Sequence, residues 1–521
     1  MTPGLIPNAP MVLIHPPRVK PCEPPLGIAC LSGALKAYHI SYDVFDANLE
    51  GLWHFFRHPP SFAAFDGDTW TKRAWKNHPA HLAAIRNLSG YSCLSRYQRA
   101  VRDLDRVLEK MGGASPVRLG LANYQHQQLS PTRSADLLQA AEEPEKDPFY
   151  SFYQTRLSEG VGKNGPEQMG ISLNFLTQAI PAFALMGFLK KKFSKVRIFL
   201  GGGLVTSWIR GGSRQNLFSG LVDELIAGPG EAPLLAACGI REEIQTQFPL
   251  DFDSLPIHHY LSPGFILPYS TTRGCYWSRC HFCPERAEGN AYKAIPTDRV
   301  LSDLDSLVKK HNPVLVHLTD NALPPGVMEG IIRKPFGSPW YGFARITPHL
   351  ADLEFCLGLR RSGCAMLQLG IESGDQGVLD RLHKGIDLAM ASGALKNLRR
   401  AGIAAYVYLL FGTPQETLPE ARKTLEFTVR HRGEISFLNL ALFNLPLHGE
   451  GISNLITEKF SEGDLSLYTG FHHPSGWNRG KVRQFLDKEF KRDPAVAEIL
   501  RRDPPIFASN HAPFFAMNGG R

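Results

Sequence analysis

From about Pro256 onwards, apolar runs of strand length alternate with helical stretches about six times, and this alternation restricts the fold more than any other feature of the chain. The strand-like segments are Phe265 to Leu267, Val314 to Thr319, Trp340 to Arg345, Met366 to Gly370, Ala404 to Phe411 and Phe437 to Phe443. Helices between them include Thr297 to Lys310, Leu353 to Ser362, Leu388 to Ala401 and Leu418 to Arg432. Parallel strands need crossover connections of about this length, usually helical, so the repeat predicts a partial (β/α)6 TIM-like barrel. In such a barrel the chemistry belongs at the carboxyl ends of the strands. The polar residues stand there: Cys275 after the first strand, Asp320-Asn321 after the second, Arg345 at the third, Glu372-Ser373 after the fourth, and Gly412-Thr413-Pro414 after the fifth.

The loop after the first of these strands, Thr271 to Glu285, reads TTRGCYWSRCHFCPE and carries three of the nine cysteines, Cys275, Cys280 and Cys283, spaced CxxxxCxxC. Thiolates are soft ligands suited to zinc or to an iron-sulfur cluster. A four-iron cluster held by three cysteines keeps one iron open to a small molecule. A fourth ligand from His281 or a distant cysteine would instead close a structural zinc site. Spacing alone leaves both open, and Tyr276, Trp277 and Phe282 would shield a cluster from water. The other six cysteines, Cys22, Cys30, Cys93, Cys238, Cys356 and Cys364, are dispersed and read as ordinary thiols.

A chain of 521 residues has length for about three domains of roughly 150 residues each. With 43% apolar and 20% charged residues it has the balance of an ordinary globular protein. The formal charge of +8 is mild, and pairs such as Arg360-Arg361, Arg399-Arg400 and Arg501-Arg502 are scattered, which suits solvated helix faces rather than a nucleic-acid groove. The opening MTPGLIPNAP lacks the basic flank and apolar core of a signal peptide. No apolar run approaches the ~18 residues that span a bilayer. A cytoplasmic protein without a membrane span is expected, in a compartment where clustered cysteines signal metal or catalysis.

Towards the N-terminus, Met11 to Ile14 is a strand that breaks at His15-Pro16-Pro17. Ile28, Leu31, Leu35 and Tyr38 then recur at helical spacing, and Ser41 to Phe45 restores a strand, which begins a doubly wound parallel sheet. The pattern lapses from about Glu50 to Glu167, a helical insertion with helices at His81 to Lys110 and Ser134 to Glu143 and a packing group of Phe149, Tyr150, Phe152 and Tyr153. It resumes at Gln168 with MGISLNF, a helix from Gln178 to Lys192, and the strand Val196 to Leu200 closed by Gly201-Gly202-Gly203; LVDELIAGPGEAPL follows. Glycines at the carboxyl ends of parallel strands let a ligand approach the backbone, so a cofactor crevice is expected on this edge. Domains are expected at 1–250, with the insertion at about 50–167, at 256–450, and at 451–521, a small mainly helical region. Its end, IFASNHAPFFAMNGG, is expected to dock as a plain helix, the alternative being that it covers the barrel mouth and brings His511 or Phe514-Phe515 to a substrate.

Residues 10 to 240 resemble the cobalamin-binding domain of cobalamin-dependent radical S-adenosylmethionine enzymes, through VLIHPP, PPLGIACLSGALKAYHISYDVFDAN, MGISLNF, RIFLGGG and AGPGEAP. The resemblance implies that Ser172, Gly201, Gly202 and Gly203 line the slot for the cobalamin nucleotide tail, with Pro25, Leu26 and Asn174 nearer the corrin. The DxHxxG signature that supplies a histidine beneath cobalt is absent, and His15 lacks its context. Residues 256 to 450 resemble the radical S-adenosylmethionine superfamily, through LGIESGDQGVLDRLHKG and LLFGTPQETLPEARKTL. That implies a 4Fe-4S cluster on Cys275, Cys280 and Cys283 whose open iron chelates S-adenosylmethionine, with Glu372 and Ser373 at its ribose or methionine, Phe411 and Gly412 at its adenine, and Asp320 near its amine. The superfamily spacing is CxxxCxxC, and this chain places one more residue between the first two cysteines. The activity implied is methylation of an unactivated carbon of a small-molecule or peptide substrate through a 5'-deoxyadenosyl radical and methylcobalamin, with electrons from a donor such as flavodoxin or ferredoxin. The alternatives are oxidation, cyclisation or rearrangement without methyl transfer, and a nonenzymatic cobalamin- or metal-binding interaction protein.

Overall fold

The computed structural model describes residues 11–58, 68–112, 115–160, 166–212, 216–241, 247–448, 455–458 and 463–518; the N-terminal decapeptide read above for a signal sequence lies outside them. The chain divides into two units, one of Met1–Asn87, Arg96–Ser262 and Glu462–Leu467, the other of Leu88–Ser95, Pro263–Ser461 and Tyr468–Arg521.

The first unit is built on a five-stranded parallel sheet in the order Tyr42–Asp46, Met11–His15, Gln168–Ser172, Arg197–Gly201, Glu224–Leu225. The first strand in sequence, MVLIH, is buried at every position, as a parallel strand covered by helices on both faces must be. Its partners are the second and third strands of the sheet in sequence, so the strand order reverses beside it, and sheets of this kind bind ligands outside the carboxyl ends at such a point. Helix Leu176–Lys192 is buried from Gln178 through Leu189 and covers one face.

The insertion departs from the expected long helix. Asp68 caps a helix at Thr69–Ile85 by accepting from the Thr71 amide at 2.9 Å, a 3-10 turn occupies Leu88–Ser92, and a second helix runs Leu94–Met111. The LSGYS sequence explains the break, because serine and glycine favour turns over helix interiors. A short hairpin of Val117–Leu119 and Tyr124–His126, which periodicity did not reveal, follows. The aromatic group packs: Phe149, Phe152 and Tyr153 are buried, with rings against Phe55, Phe45 and Phe188.

The second unit carries six parallel strands ordered as in the sequence: Ile266–Tyr269, Leu315–Leu318, Trp340–Ala344, Cys364–Glu372, Ala404–Phe411 and Ile435–Leu442. The two edge strands do not pair with each other, so the barrel is partial. Helix Pro325–Arg333, absent from the sequence reading, completes the crossover between the second and third strands. Apart from Glu462–Leu467, the C-terminal region belongs to this unit. Its charged run divides into helices Arg479–Lys488 and Pro494–Arg502, the latter against the sixth strand. The last helix, Ala508–Met517, lies against the fourth and fifth strands, with Asn510 Nδ2 3.4 Å from the Tyr341 hydroxyl. His511 is fully buried with Nδ1 3.2 Å from the Tyr91 hydroxyl, and Phe514 and Phe515 pack on the same ring. No helix among the described residues is long and apolar enough to cross a membrane.

Candidate functional site

The cysteine loop leaves the first barrel strand through a base held by Asp320. This carboxylate accepts from the Thr271 amide at 3.1 Å, the Thr271 hydroxyl at 2.9 Å and the Thr272 hydroxyl at 2.7 Å, and it is 2% exposed. Burial pushes its pKa up against the pull of those donors. Through these bonds Asp320 ties the base of the cysteine loop to the end of the second barrel strand.

Cys280 is buried and Cys275 and Cys283 are half-buried; none of the three is in a disulfide. Burial raises the Cys280 thiol, opposed by the nearby cations Lys384 and Arg345, and pushes Cys283 up to about 11. The Arg345 guanidinium places Nη1 3.9 Å from the Cys280 sulfur, and Phe282 lies 5.5 Å from the Lys384 ammonium. Three soft donors on one loop, flanked by aromatic rings and two cations, form a donor set suited to an anionic iron-sulfur cluster. The His281 ring lies tilted against that of His383, with centroids 3.9 Å apart. Among the described residues no group of three or more His, Cys, Asp or Glu side chains is placed to hold a single metal ion; a cubane, whose cysteines each bind a different iron, does not require such a point.

Beyond the cysteines, Glu372 ends the fourth strand in the left-handed region at φ 68°, where a non-glycine residue is strained, and its carboxylate pairs with Lys384 at 2.7 Å. Ser373, in contrast, is fully buried; its hydroxyl accepts from the Asp375 amide at 3.1 Å and lies 3.3 Å from the Thr424 hydroxyl, which turns it into the scaffold. The Gly412 amide donates to Glu416 at 2.5 Å, and Trp477 Nε1 donates to the same oxygen at 3.0 Å. Burial pushes Glu416 up to about 7. A cleft lined by Gly412, Phe443, Asn444, Phe471, His473 and Arg479 opens at the carboxyl ends of the fifth and sixth strands. His473 Nδ1 accepts from the Ser475 and Trp477 amides, so its Nε2 carries the proton donated to the Thr413 carbonyl at 2.9 Å. The sequence reading missed Glu416, His473 and Trp477; the glutamate lies within the GTPQET phrase, and the other two are recruited from the C-terminal region.

In the first unit, the residues expected to hold cobalamin gather on the carboxyl edge of the sheet. Asn174 Nδ2 donates to the Ser172 hydroxyl at 3.1 Å, and Asn174 Oδ1 accepts from the Gly203 amide at 2.9 Å, tying the third-strand loop to the fourth. Gln178 Nε2 donates to the Pro16 carbonyl at 2.7 Å, tying both to the first. Gly202 sits at φ 109° with an added Cβ falling 2.3 Å from the Leu173 carbonyl oxygen, so only glycine closes this turn. Pro25 and Leu26 begin helix Leu26–Ala37 beside Ser172, whose hydroxyl is 3.4 Å from where a Cβ on Gly27 would lie. Phe175 is 58% exposed on the same loop, and His15 ends the first strand buried, its pKa lowered by desolvation, with Nδ1 lacking a hydrogen-bond partner. A glycine turn, an exposed ring and a buried nitrogen without a partner, gathered at the sheet's switch point, fit a large planar ligand.

Residues 269–428 match the model of the Radical SAM superfamily, so this stretch is a radical S-adenosylmethionine domain. Among curated proteins, the chain is 23% identical over 186 residues to an uncharacterized methyltransferase of Pyrococcus horikoshii, covering 34% of this chain and 39% of that protein. It is also 23% identical over 250 residues to the anaerobic magnesium-protoporphyrin IX monomethyl ester cyclase of Rubrivivax gelatinosus, covering 44% of each. The chain therefore spans less than half the length of these two relatives. The solved structure of TsrM, a radical S-adenosylmethionine methyltransferase of Kitasatospora setae with cobalamin and a 4Fe-4S cluster bound, shares the fold: TM-score 0.50 at 14% identity, covering 88% of this chain and 78% of that one.

Proposed function

We propose that the chain is a cobalamin-dependent radical S-adenosylmethionine enzyme that methylates an unactivated carbon of a small-molecule or peptide substrate, supplied with electrons by a cytoplasmic donor such as flavodoxin or ferredoxin. The observation that carries this is the pairing, in one chain, of a cation-flanked three-thiol loop on a partial barrel with a glycine-closed turn at the switch point of a doubly wound sheet. When bound, the cluster supplies one-electron reduction of S-adenosylmethionine, and cobalamin supplies a transferable methyl group.

The remaining work falls to the protein's own groups. Cys275, Cys280 and Cys283 hold the cluster, and Asp320 fixes the base of their loop through Thr271 and Thr272. Glu372, held by Lys384, and the backbone at Gly412 orient S-adenosylmethionine, while Ser373 braces the turn behind them. Pro25, Leu26, Ser172, Asn174 and Gly201–Gly203 hold cobalamin. Phe443 and Phe471 keep water from the cleft.

A second reading, cyclisation or oxidation without methyl transfer, is favoured by the match to the cyclase. Anaerobically reconstituted protein incubated with cobalamin, a reductant and S-adenosylmethionine carrying a labelled methyl group separates the two. Formation of 5'-deoxyadenosine together with label on cobalamin supports methylation; 5'-deoxyadenosine without label on cobalamin supports the second reading. A cubane spectrum that survives replacement of any of the three cysteines by alanine would refute both.

A further inference from the structure

The extra residue in CxxxxCxxC is accommodated by a fold of the loop that the spacing does not announce. Ser278 takes a positive φ of 43°, and the loop turns Trp277 onto the segment Leu382–Gly385. Three donors converge on that segment: the His281 amide to the Leu382 carbonyl at 3.1 Å, Trp277 Nε1 to the His383 carbonyl at 3.0 Å, and Arg345 Nη2 to the Lys384 carbonyl at 2.5 Å. Gly385, at φ 65°, makes room for the indole; an added Cβ would fall 2.0 Å from its Cζ2. The Arg345 guanidinium lies 4.3 Å from the Trp277 ring centroid, and Arg279 lies 5.1 Å from it. Arg345 is 7% exposed, and its Nη1 is 3.9 Å from the Cys280 sulfur. Lys384 pairs with Glu372 at 2.7 Å and acts on Cys280 only through its charge, whereas Arg345 brings an N–H donor into hydrogen-bond range of that sulfur.

We propose that Trp277 positions Arg345 against the Cys280 sulfur and that this pair sets the reduction potential of the cluster. The inference rests on the cluster assignment made under the proposed function and deepens it. Reducing a thiolate-ligated cluster adds negative charge, and a cation with an N–H directed at a ligand sulfur stabilises the reduced form, which raises the potential. The guanidinium has a planar face for the indole and a fork of donors, so one side chain satisfies the ring, the carbonyl and the sulfur together. Trp277 is a positioning residue: it acts through Arg345.

The test is an EPR-monitored redox titration of the full-length, anaerobically reconstituted protein, with iron and sulfide measured in each sample. R345Q is expected to keep its iron and sulfide and to shift the midpoint to a more negative potential. W277A is expected to shift it in the same direction, and W277F, which retains an aromatic face, to remain near the parent. The W277A/R345Q double variant is expected to match R345Q alone, since the two residues act through one contact. R345K, which keeps the charge without the planar fork, is expected to fall between the parent and R345Q. An unchanged midpoint in iron-replete R345Q, or additive shifts in the double variant, overturns the inference. Loss of iron from both R345Q and R345K also overturns it, making the pair a brace for the loop. Absence of a cubane signal from the parent protein sinks the cluster assignment itself, a result distinct from any of these.

Discussion

Replacing Asp320 separates two roles for a carboxylate at the end of the second barrel strand. If it braces the cysteine loop, D320A strips the acceptor from the Thr271 amide, the Thr271 hydroxyl and the Thr272 hydroxyl, all in residues at most 4% exposed. The two hydroxyls can rotate towards other acceptors, but the buried amide cannot. An orphaned buried donor costs roughly 1–3 kcal/mol, and each hydrogen bond to a charged group contributes roughly 1.5–3 kcal/mol. Relief of the carboxylate's own desolvation offsets part of that loss, since burial already pushes its pKa up. A net destabilisation of about 3 kcal/mol follows for D320A, and about 1–2 kcal/mol for D320N, whose amide retains one acceptor oxygen. Urea denaturation of the cluster-free protein under reducing conditions measures both, with the m-value showing whether the same surface unfolds. A D320A protein within 0.5 kcal/mol of the parent but with a raised KM for S-adenosylmethionine would refute the brace and return Asp320 to the cofactor.

Three further outcomes follow from the same geometry. Glu416, whose pKa stands at about 7 in the folded protein against roughly 4.3 when unfolded, binds a proton in the native state where the unfolded chain does not. Stability therefore falls as pH rises from about 4.5 to 7, by up to about 3 kcal/mol, and E416Q flattens that slope in denaturation curves taken across the window. G385A places a methyl 2.0 Å from Trp277 at a positive φ, so it is expected to destabilise the protein by about 2–3 kcal/mol and to lower iron incorporation, read by calorimetry and iron analysis. N174A removes bonds to both Ser172 and Gly203 and is expected to weaken cobalamin binding about tenfold, measured by spectral titration, with the thermal midpoint of the cobalamin-free protein changed by only a few degrees.

Periodicity carried the elements well where the pattern was long. The helix expected at Leu388 to Ala401 and the strand expected at Ala404 to Phe411 have those bounds in the structure, because the first repeats its buried apolar residues at helical spacing and the second is an unbroken apolar run of strand length. The insertion was less legible: LSGYS divides an apparently continuous helix, and a hairpin of three-residue strands is too short to show alternation. At the site, the cysteines and Glu372 stood out because their residue types and places after strands carry chemistry. Glu416, His473 and Trp477 did not, because their meaning lies in each other and they are as much as 61 residues apart.

What the amino-acid sequence determined alone is local: which segments form strands and helices, that they alternate into parallel sheets, and that three thiols share one short loop. Only the tertiary structure decided what those local pieces do to one another. Asp320 faces Thr271 and Thr272 across 49 and 48 residues, Trp277 docks on a carbonyl 106 residues away, and the last helix fills the sheet face carrying Tyr341. The reason is physical. Backbone periodicity is written in neighbouring residues, whereas a buried hydrogen bond or a ring against a glycine depends on which distant segment the packed core brings alongside.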